Sequence, residues 1–272
     1  MSEWFSGEVV ANGLRTHYYR TGGDRPPLVL AHGATDDGLC WTRLARALEA
    51  EYDVIMPDAR GHGLSEAPEG GYTATERAAD LAGLIEALGL GQPAVGGHSM
   101  GAQTVLYLAA GYPDRVRCVI LEDPPFWRPG QQPSEEERQQ RAARMRQNAL
   151  EMKALGREAL IARCRAEHPT WAEEELGPWA DAKLRVSERF AGAVRLADQP
   201  PWWEVLPRVR CPALLITADP ERGAIVTPET AAEARRLLPS LEVVHIPGAG
   251  HNIRREQFDA FLAAVRAFLA AH

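Results

Sequence analysis

The amino-acid sequence predicts an α/β fold in which helices cover both faces of a mostly parallel, eight-stranded sheet. Short β-rich runs alternate with helical patterns from residue 7 to about residue 119, and the alternation returns after residue 207. Between these stretches, residues 124–206 contain no convincing strand. Alternating strands and helices are typical of a parallel sheet covered by helices. The strand-free segment is predicted to be an all-helical insertion after the sixth strand.

The chain begins with a predicted β-hairpin, which is followed by six buried strands. Val9–Val10 and His17–Tyr19 form the two arms of the hairpin, and Asn12-Gly13 is a pair that favours a tight turn. The six further strands are short apolar runs: Leu28–Ala31, Val54–Met56, Ala94–Gly97, Val116–Leu121, Ala213–Thr217 and Leu241–Ile246.

Apolar residues at helical spacing predict the helices between these strands. The predicted ranges are Trp41–Leu48, Thr75–Leu88, Met100–Gly111, Pro228–Leu238 and Phe258–Leu269. Pro113 ends the third of these helices, because proline cannot continue a helix. Thr227 is the expected N-cap of the fourth helix, and Pro228 is its first residue.

The pattern divides the chain into a sheet core, residues 1–123 and 207–272, and a helical cap (lid), residues 124–206. Ser134 followed by Glu137 forms a capping box, which predicts that a cap helix begins there. Five of the seven tryptophans lie in the cap: Trp127, Trp171, Trp179, Trp202 and Trp203.

Composition and charge exclude several classes of protein. Apolar residues make up 45% of the 272 residues and charged residues 25%, which is ordinary for a globular protein and unlike a disordered chain. The formal net charge of −7 argues against a nucleic-acid partner. No apolar run approaches the roughly 20 residues of a membrane-spanning helix.

The first residues and the cysteines predict a cytoplasmic location. The start, MSEWFSGEVV, lacks the basic and apolar stretches of a signal peptide. The four cysteines are widely scattered, without the short spacing of a metal or redox site, and are therefore expected to be free thiols.

The strongest chemical signal is Gly97-His98-Ser99-Met100-Gly101, which lies between a predicted strand and a predicted helix. In that context G-x-S-x-G predicts a nucleophile elbow, a tight turn that exposes the serine hydroxyl above the sheet. Glycines are needed on both sides, because larger side chains would collide with the neighbouring strand and helix. Ser99 is therefore the predicted nucleophile.

A serine hydroxyl needs a base, and His251 is the best candidate. His251 follows the last predicted strand, in the run Gly248-Ala249-Gly250-His251, where a loop can reach back over the sheet edge. The other seven histidines lie within strands, in glycine-rich turns, in the cap, beside the serine or at the terminus.

A carboxylate between Ser99 and His251 in the chain is expected to orient the imidazole. Asp219 is the first choice because it comes directly after a predicted strand. Glu221 and Asp123 remain alternatives.

An oxyanion hole needs two backbone N–H groups. Met100 follows the nucleophile, and Ala34 follows His32-Gly33 at the end of a strand, so these two residues are the predicted donors.

Together these segments resemble the α/β-hydrolase superfamily, in its esterase, lactonase and carbon–carbon hydrolase branch with a helical cap. The resemblance spans roughly residues 7–123 and 207–270 and includes Asp58-Ala59-Arg60-Gly61-His62-Gly63-Leu64-Ser65, which is a structural turn in the family. The family's usual register after the seventh strand would place Glu221, rather than Asp219, at the acid position.

The resemblance implies a serine hydrolase that cleaves a carboxylic ester or lactone through an acyl-enzyme. No cofactor or metal is expected, because the sequence has no Walker loop and no G-x-G-x-x-G after a strand. A serine at the elbow argues against the epoxide hydrolases and haloalkane dehalogenases, which use aspartate there. Carbon–carbon hydrolysis, amide hydrolysis, perhydrolysis and non-catalytic ligand binding on the same scaffold stay open as alternatives.

The sequence also suggests a substrate class. Trp127 and Trp202, in the cap, are predicted to line an apolar pocket. Four carboxylates lie near the predicted site in sequence and would repel an acidic substrate: Asp36, Asp37, Glu122 and Asp123. The expected partner is a small, neutral, largely apolar ester or lactone, and the expected oligomeric state is a monomer or homodimer.

Overall fold

A computed structural model describes residues 4–127, 133–193 and 199–272 of the chain. Within these residues, eight strands form one sheet in the order β1-β2-β4-β3-β5-β6-β7-β8. The strands are β1 (Phe5–Ala11), β2 (Leu14–Arg20), β3 (Pro27–Ala31), β4 (Asp53–Pro57), β5 (Ala94–His98), β6 (Cys118–Glu122), β7 (Ala213–Thr217) and β8 (Glu242–His245). The predicted fold class is confirmed.

Strand β2 pairs antiparallel with both β1 and β4, and every other pairing in this sheet is parallel. The first two strands form the predicted hairpin. Asn12 and Gly13 have φ angles of 50° and 75°, the left-handed backbone that a type I′ turn requires at both central positions.

Five helices of the sheet core agree closely with the predicted ranges: α1 (Thr42–Leu48), α2 (Ala74–Ala87), α3 (Met100–Gly111), α9 (Pro228–Leu237) and α11 (Phe258–Ala271). The short helix α10 (Ile253–Glu256) was not predicted from the sequence. Thr227 accepts a hydrogen bond from the backbone N–H of Thr230 and so caps α9 as predicted.

Successive strand residues point to opposite faces of the sheet, and each face carries its own apolar core. On β3, Val29 belongs to the core beneath α2, α3 and α9, whereas Leu28 and Leu30 belong to the core beneath α1 and α11. Because both faces are covered, strands β4 to β7 are buried at every position and mostly apolar, instead of alternating between apolar and polar residues.

In the part of the chain that the structure describes, five α-helices lie between β6 and β7, and we call them the cap helices. They are α4 (Glu135–Leu155), α5 (Arg157–Glu167), α6 (Glu173–Arg185), α7 (Glu188–Ala191) and α8 (Trp202–Val205). Ser134 and Glu137 form the predicted capping box at the start of α4. Trp171 and Trp179 belong to a separate apolar cluster between α4, α5 and α6.

No helix in the three described ranges is both long enough and apolar enough to cross a bilayer.

The turn between β5 and α3 holds Ser99 in a conformation that few residues other than glycine adopt. Its φ and ψ angles are 51° and −114°. Gly97 and Gly101 leave room for this turn: a Cβ on Gly97 would lie 2.5 Å from the carbonyl carbon of Gly101, and one on Gly101 would overlap the carbonyl oxygen of Ala31. Backbone strain of this kind persists only where the surrounding structure enforces it.

We predict that Gly101→Ala destabilises the protein by about 3 kcal/mol or more, because the added methyl group has to displace the backbone of β3. The free energy of unfolding in urea measures the effect. Gly111→Ala is the matched control, since a Cβ at this position of the same helix contacts nothing within 4 Å. Equal stability of the two variants would contradict this account of the turn.

Candidate active site

His251 lies on the loop between β8 and α10 and borders the same cavity as Ser99. Its Nδ1 atom lies 2.6 Å from a carboxylate oxygen of Asp123. With Nδ1 bound to a carboxylate, the proton of the neutral ring is held there and Nε2 is left as the basic atom. The structure thus brings the predicted nucleophile and the predicted base to one cavity.

Asp123 follows β6 directly, and β6 is the neighbour of the strand that carries Ser99. The backbone N–H of Ser99 donates to the carbonyl oxygen of Glu122 at 2.9 Å, which fixes the two strand ends side by side. The Asp123 side chain is fully buried and accepts hydrogen bonds from the backbone N–H groups of Ile225 and Val226 at 2.9–3.0 Å. Its φ angle of 40° is left-handed, a region that aspartate tolerates better than most residues.

The expectation that Asp219 pairs with His251 is wrong. Asp219 follows β7, one strand further from Ser99, and its carboxylate faces β8. One oxygen lies 3.0 Å from His245 Nε2, and the other accepts from the backbone N–H of Gly248 at 2.7 Å. Glu221 is exposed. The carboxylate beside His251 is therefore that of Asp123, the third candidate from the sequence.

His98 supports the loop that carries His251. Its Nε2 lies 2.8 Å from the carbonyl oxygen of His251, and because a carbonyl can only accept, Nε2 carries the proton. Burial lowers the pKa of His98 well below the usual value, and the neighbouring charges of Arg254 and His251 add to this effect. A neutral His98 thus holds the backbone of the His251 loop.

The two predicted oxyanion donors lie at the Ser99 site. Ala34 borders both cavities that Ser99 borders, and Met100 is the first residue of α3. The first N–H groups of a helix have no partner within it, so the Met100 N–H is free to bind an oxygen atom. Next to Ala34, Thr35 has a left-handed φ angle of 63°. Lys183 from α6 holds it there by donating to the Thr35 carbonyl and hydroxyl oxygens, each at 2.9 Å.

Asp36, one residue further along this loop, binds three cations from two other parts of the chain. Its carboxylate lies 3.1 Å from Lys183 Nζ, 3.3 Å from Arg254 Nη2 and 3.2 Å from Arg255 Nη1. Burial alone would raise the pKa of Asp36, but Arg255, Lys183 and Arg254 hold it well below its usual value. The charged carboxylate therefore joins the loop of Ala34, the cap helices and the segment that follows His251.

The sequence did not reveal the roles of Lys183, Arg254 and Arg255. Arginines are rarely buried, yet these two are each only 2% exposed. The sequence signal that could have identified Arg254 and Arg255 is their position: they are adjacent, they follow His251 closely, and they precede an apolar helix.

The four carboxylates that were expected to repel an acidic substrate all have partners. Asp36 is bound as described, and Glu122 accepts from the Arg254 backbone and side chain at 3.0 and 3.3 Å. Asp37 pairs with Arg185 at 3.2 Å, and burial next to Asp58 raises its pKa to about 7. The negative charge that suggested a neutral substrate is thus largely compensated.

Two cavities meet at Ser99. The apolar cavity, about 260 Å³, is lined by Trp127, Met145 and Ile225 and also by Arg77, Arg138 and Arg141. The polar cavity, about 220 Å³, is lined by His168, Trp171, Trp179, Lys183, Asn252 and Arg255. A substrate that reaches Ser99 can extend in either direction.

Of the two tryptophans predicted to line the pocket, the structure places only Trp127 in a cavity with Ser99. Trp202 is buried in the core, stacked on Phe126 at a centroid distance of 4.4 Å. Its Nε1 donates to the Trp127 carbonyl at 2.9 Å, so Trp202 supports Trp127 from behind. Trp202 borders neither cavity at Ser99, but together with Trp127 it lines an adjoining cavity of about 270 Å³.

Comparison with known proteins places this arrangement in a family. The α/β-hydrolase fold family model matches residues 26–254. The chain is 34% identical to N-formylmaleamate deformylase of Pseudomonas putida, over 97% of this chain and 96% of that protein. It is 31% identical to 2-(acetamidomethylene)succinate hydrolase of Mesorhizobium japonicum, over 99% and 97%. The solved enol-lactonase of Burkholderia xenovorans superposes with a TM-score of 0.77 at 28% identity, over 97% of this chain and all of that one. The chain belongs to the α/β-hydrolase family.

Proposed function

We propose that this hydrolase cleaves the acyl bond of a small ester, lactone or amide through an acyl-enzyme. Ser99 is the nucleophile, His251 the base, and Asp123 the residue that orients His251. The observation that carries the proposal is the His251–Asp123 pair, with its 2.6 Å contact, at the same cavity as the strained Ser99 turn.

In the acylation step, Ser99 Oγ attacks the carbonyl carbon of the substrate while its proton passes to His251 Nε2. The buried carboxylate of Asp123 stabilises the imidazolium that forms. The N–H groups of Ala34 and Met100 bind the negative oxygen of the tetrahedral intermediate. His251 then returns the proton to the leaving oxygen or nitrogen, and the acyl group stays on Ser99.

Deacylation repeats these steps with water. His251 removes a proton from the water molecule, whose oxygen forms a bond to the acyl carbon. Collapse of the second intermediate breaks the bond to Ser99 Oγ, which recovers its proton from His251. The product is a carboxylic acid, and the enzyme returns to its starting state.

We further propose that the substrate carries a carboxylate besides its scissile acyl bond. The names of the two relatives contain the names of two such acids, N-formylmaleamate and 2-(acetamidomethylene)succinate. In the described part of the chain, the two cavities at Ser99 are lined by five cationic side chains and one acidic one, Asp36. Cationic linings raise the local concentration of anionic substrates. This proposal replaces the neutral substrate expected from the sequence.

A fluorophosphonate should label the wild-type protein covalently, and Ser99→Ala should abolish the label. The same substitution should lower kcat on a responsive ester, lactone or amide at least about a thousandfold, because removing the nucleophile leaves only binding effects. Mass spectrometry and a panel of neutral and carboxylate-bearing substrates provide the readouts. Labelling at another residue, or full activity of Ser99→Ala, would contradict Ser99 as the nucleophile. A wild type that is neither labelled nor active on the panel would leave a ligand-binding role as the better account.

Asp123→Asn should reduce kcat on the order of ten-thousandfold, because an amide favours the wrong tautomer of the base. Asp219→Asn is the matched control, since Asp219 also contacts a histidine but not His251. A larger loss from Asp219→Asn than from Asp123→Asn would sink the assignment of the acid.

A further inference from the structure

We propose that Gln103 and Arg141 bind the carboxylate of the substrate from the two walls of the apolar cavity. The inference rests on the proposed function, because Ser99 borders this cavity. Gln103 lies in α3, where its backbone N–H donates to the Ser99 carbonyl at 3.0 Å, and Arg141 lies in α4 of the cap. The sheet core and the cap thus each contribute one side chain to the recognition of an anion beside the scissile bond.

The orientation of the Gln103 side-chain amide is fixed by Arg77. A guanidinium can only donate, so the amide atom that lies 3.2 Å from Arg77 Nη2 is the oxygen, Oε1. Arg77 is itself buried, and it donates to the Thr104 hydroxyl at 3.0 Å and to the Tyr72 carbonyl. Because Arg77 occupies Oε1, the amide nitrogen Nε2 is the end of the Gln103 side chain that is left to bind a ligand.

The Gln103 amide nitrogen is both unpaired and accessible. Within the described residues, Gln103 Nε2 has no hydrogen-bond partner. The fully enclosed side-chain nitrogens without a partner in the same part of the chain are other atoms: Trp41 Nε1, His98 Nδ1, Trp171 Nε1, Arg254 Nε and Arg255 Nη2. Gln103 borders the apolar cavity and also the adjoining cavity of Trp202. A donor that is already oriented and accessible binds an acceptor at little further cost in side-chain entropy.

Arg141 brings a positive charge to the same cavity. Its guanidinium lies beside the Trp127 ring, with its central carbon 5.9 Å from the ring centroid, and it forms no hydrogen bond or ion pair with a described residue. Glu137, one turn earlier in α4, instead accepts from the backbone N–H of Ser134 at 2.7 Å as part of the capping box. Arg141 therefore keeps its donors for an anion that enters the cavity.

Three other cationic side chains at Ser99 are already paired with carboxylates. In the polar cavity, Lys183 and Arg255 bind Asp36, and in the apolar cavity Arg138 pairs with Glu135. No acidic side chain lines the described part of the apolar cavity, whose polar side chains are Arg77, Ser99, Gln103, Arg138 and Arg141. Charged and amide donors without a matching carboxylate favour an anionic ligand over an amine or a cationic group.

Two matched pairs of esters test this recognition. The mono-p-nitrophenyl esters of glutaric and adipic acid have the same acyl chain lengths as p-nitrophenyl valerate and hexanoate, and they carry a terminal carboxylate instead of a methyl group. We expect the wild type to prefer the acid for at least one chain length. Arg141→Met should lower this acid-to-neutral ratio of kcat/KM values at least about tenfold, as expected for a hydrogen bond to a charged group.

Arg144→Met is the matched control. Arg144 is exposed on the same helix as Arg141, but it lines neither cavity at Ser99. This variant removes the same charge from the cap and should leave the acid-to-neutral ratio unchanged. Equal changes in the two variants, an unchanged ratio in Arg141→Met, or a wild type that prefers neither acid would overturn the proposal.

Gln103→Glu tests the contribution of the sheet core. The new carboxylate keeps one oxygen for Arg77 and replaces the N–H donor with an acceptor, which repels the carboxylate of the substrate. The acid-to-neutral ratio should fall at least about tenfold in this variant and by less in Gln103→Met, which only removes the donor. A ratio in Gln103→Glu that equals or exceeds the ratio in Gln103→Met would refute the role of Gln103.

Binding of glutarate and adipate separates this inference from the proposed function. Calorimetry with the Ser99→Ala variant measures binding without turnover, and adding Arg141→Met should weaken it about tenfold. If Ser99 is not the nucleophile, Ser99→Ala keeps hydrolysing the esters, yet the effect of Arg141 on dicarboxylate binding persists. If the carboxylate site is wrong, hydrolysis still depends on Ser99, and the Arg141 substitution changes neither the ratio nor the binding.

Discussion

The geometry of the site depends on the ion pairs that the buried carboxylate of Asp36 forms with three cationic side chains. Asp36 follows Ala34 by two residues, it binds Lys183 of the cap helices, and it binds Arg254 and Arg255 directly after the His251 loop. One side chain therefore connects the loop of Ala34, the cap helices and the segment that follows the His251 loop. Removing a partner from a buried ion pair leaves an uncompensated charge and is strongly destabilising, so the three segments are expected to keep their relative positions as a unit.

This connection also explains how the two sides of the site differ. The cations that neutralise Asp36 come from the side of the polar cavity, where Lys183 and Arg255 form part of the lining. The opposite side is bordered mainly by apolar residues of the cap and core, with Trp127 supported from behind by Trp202. Because the cations of the polar side are already paired, a substrate carboxylate is expected to bind Gln103 and Arg141 on the side of Trp127, with the scissile carbonyl at Ser99.

Local patterns predicted the strands, the core helices, the Ser99 turn and His251, because each depends on residues that are close together in the chain. Local sequence favours Asp219 over Asp123, although both lie at the end of a strand. The choice between them depends on which strand lies next to β5 and on where the loop containing Ile225 returns, and neither follows from local sequence. The pairing of Asp36 with Lys183 likewise joins residues 147 positions apart. Only tertiary packing shows that these charges compensate one another.

A double-mutant cycle on kcat tests most directly whether Asp36 holds the site together. Asp36→Asn and Lys183→Met should each lower kcat by about ten- to a hundredfold in folded protein. The loss of kcat in the double variant should be no larger than the loss in the less active single variant. Residues in one network are coupled by about 0.5–3 kcal/mol, so their effects do not add. Two results would contradict the account. In the first, the two single-variant losses in kcat multiply in the double variant. In the second, neither single variant differs in kcat from the wild type by more than about twofold.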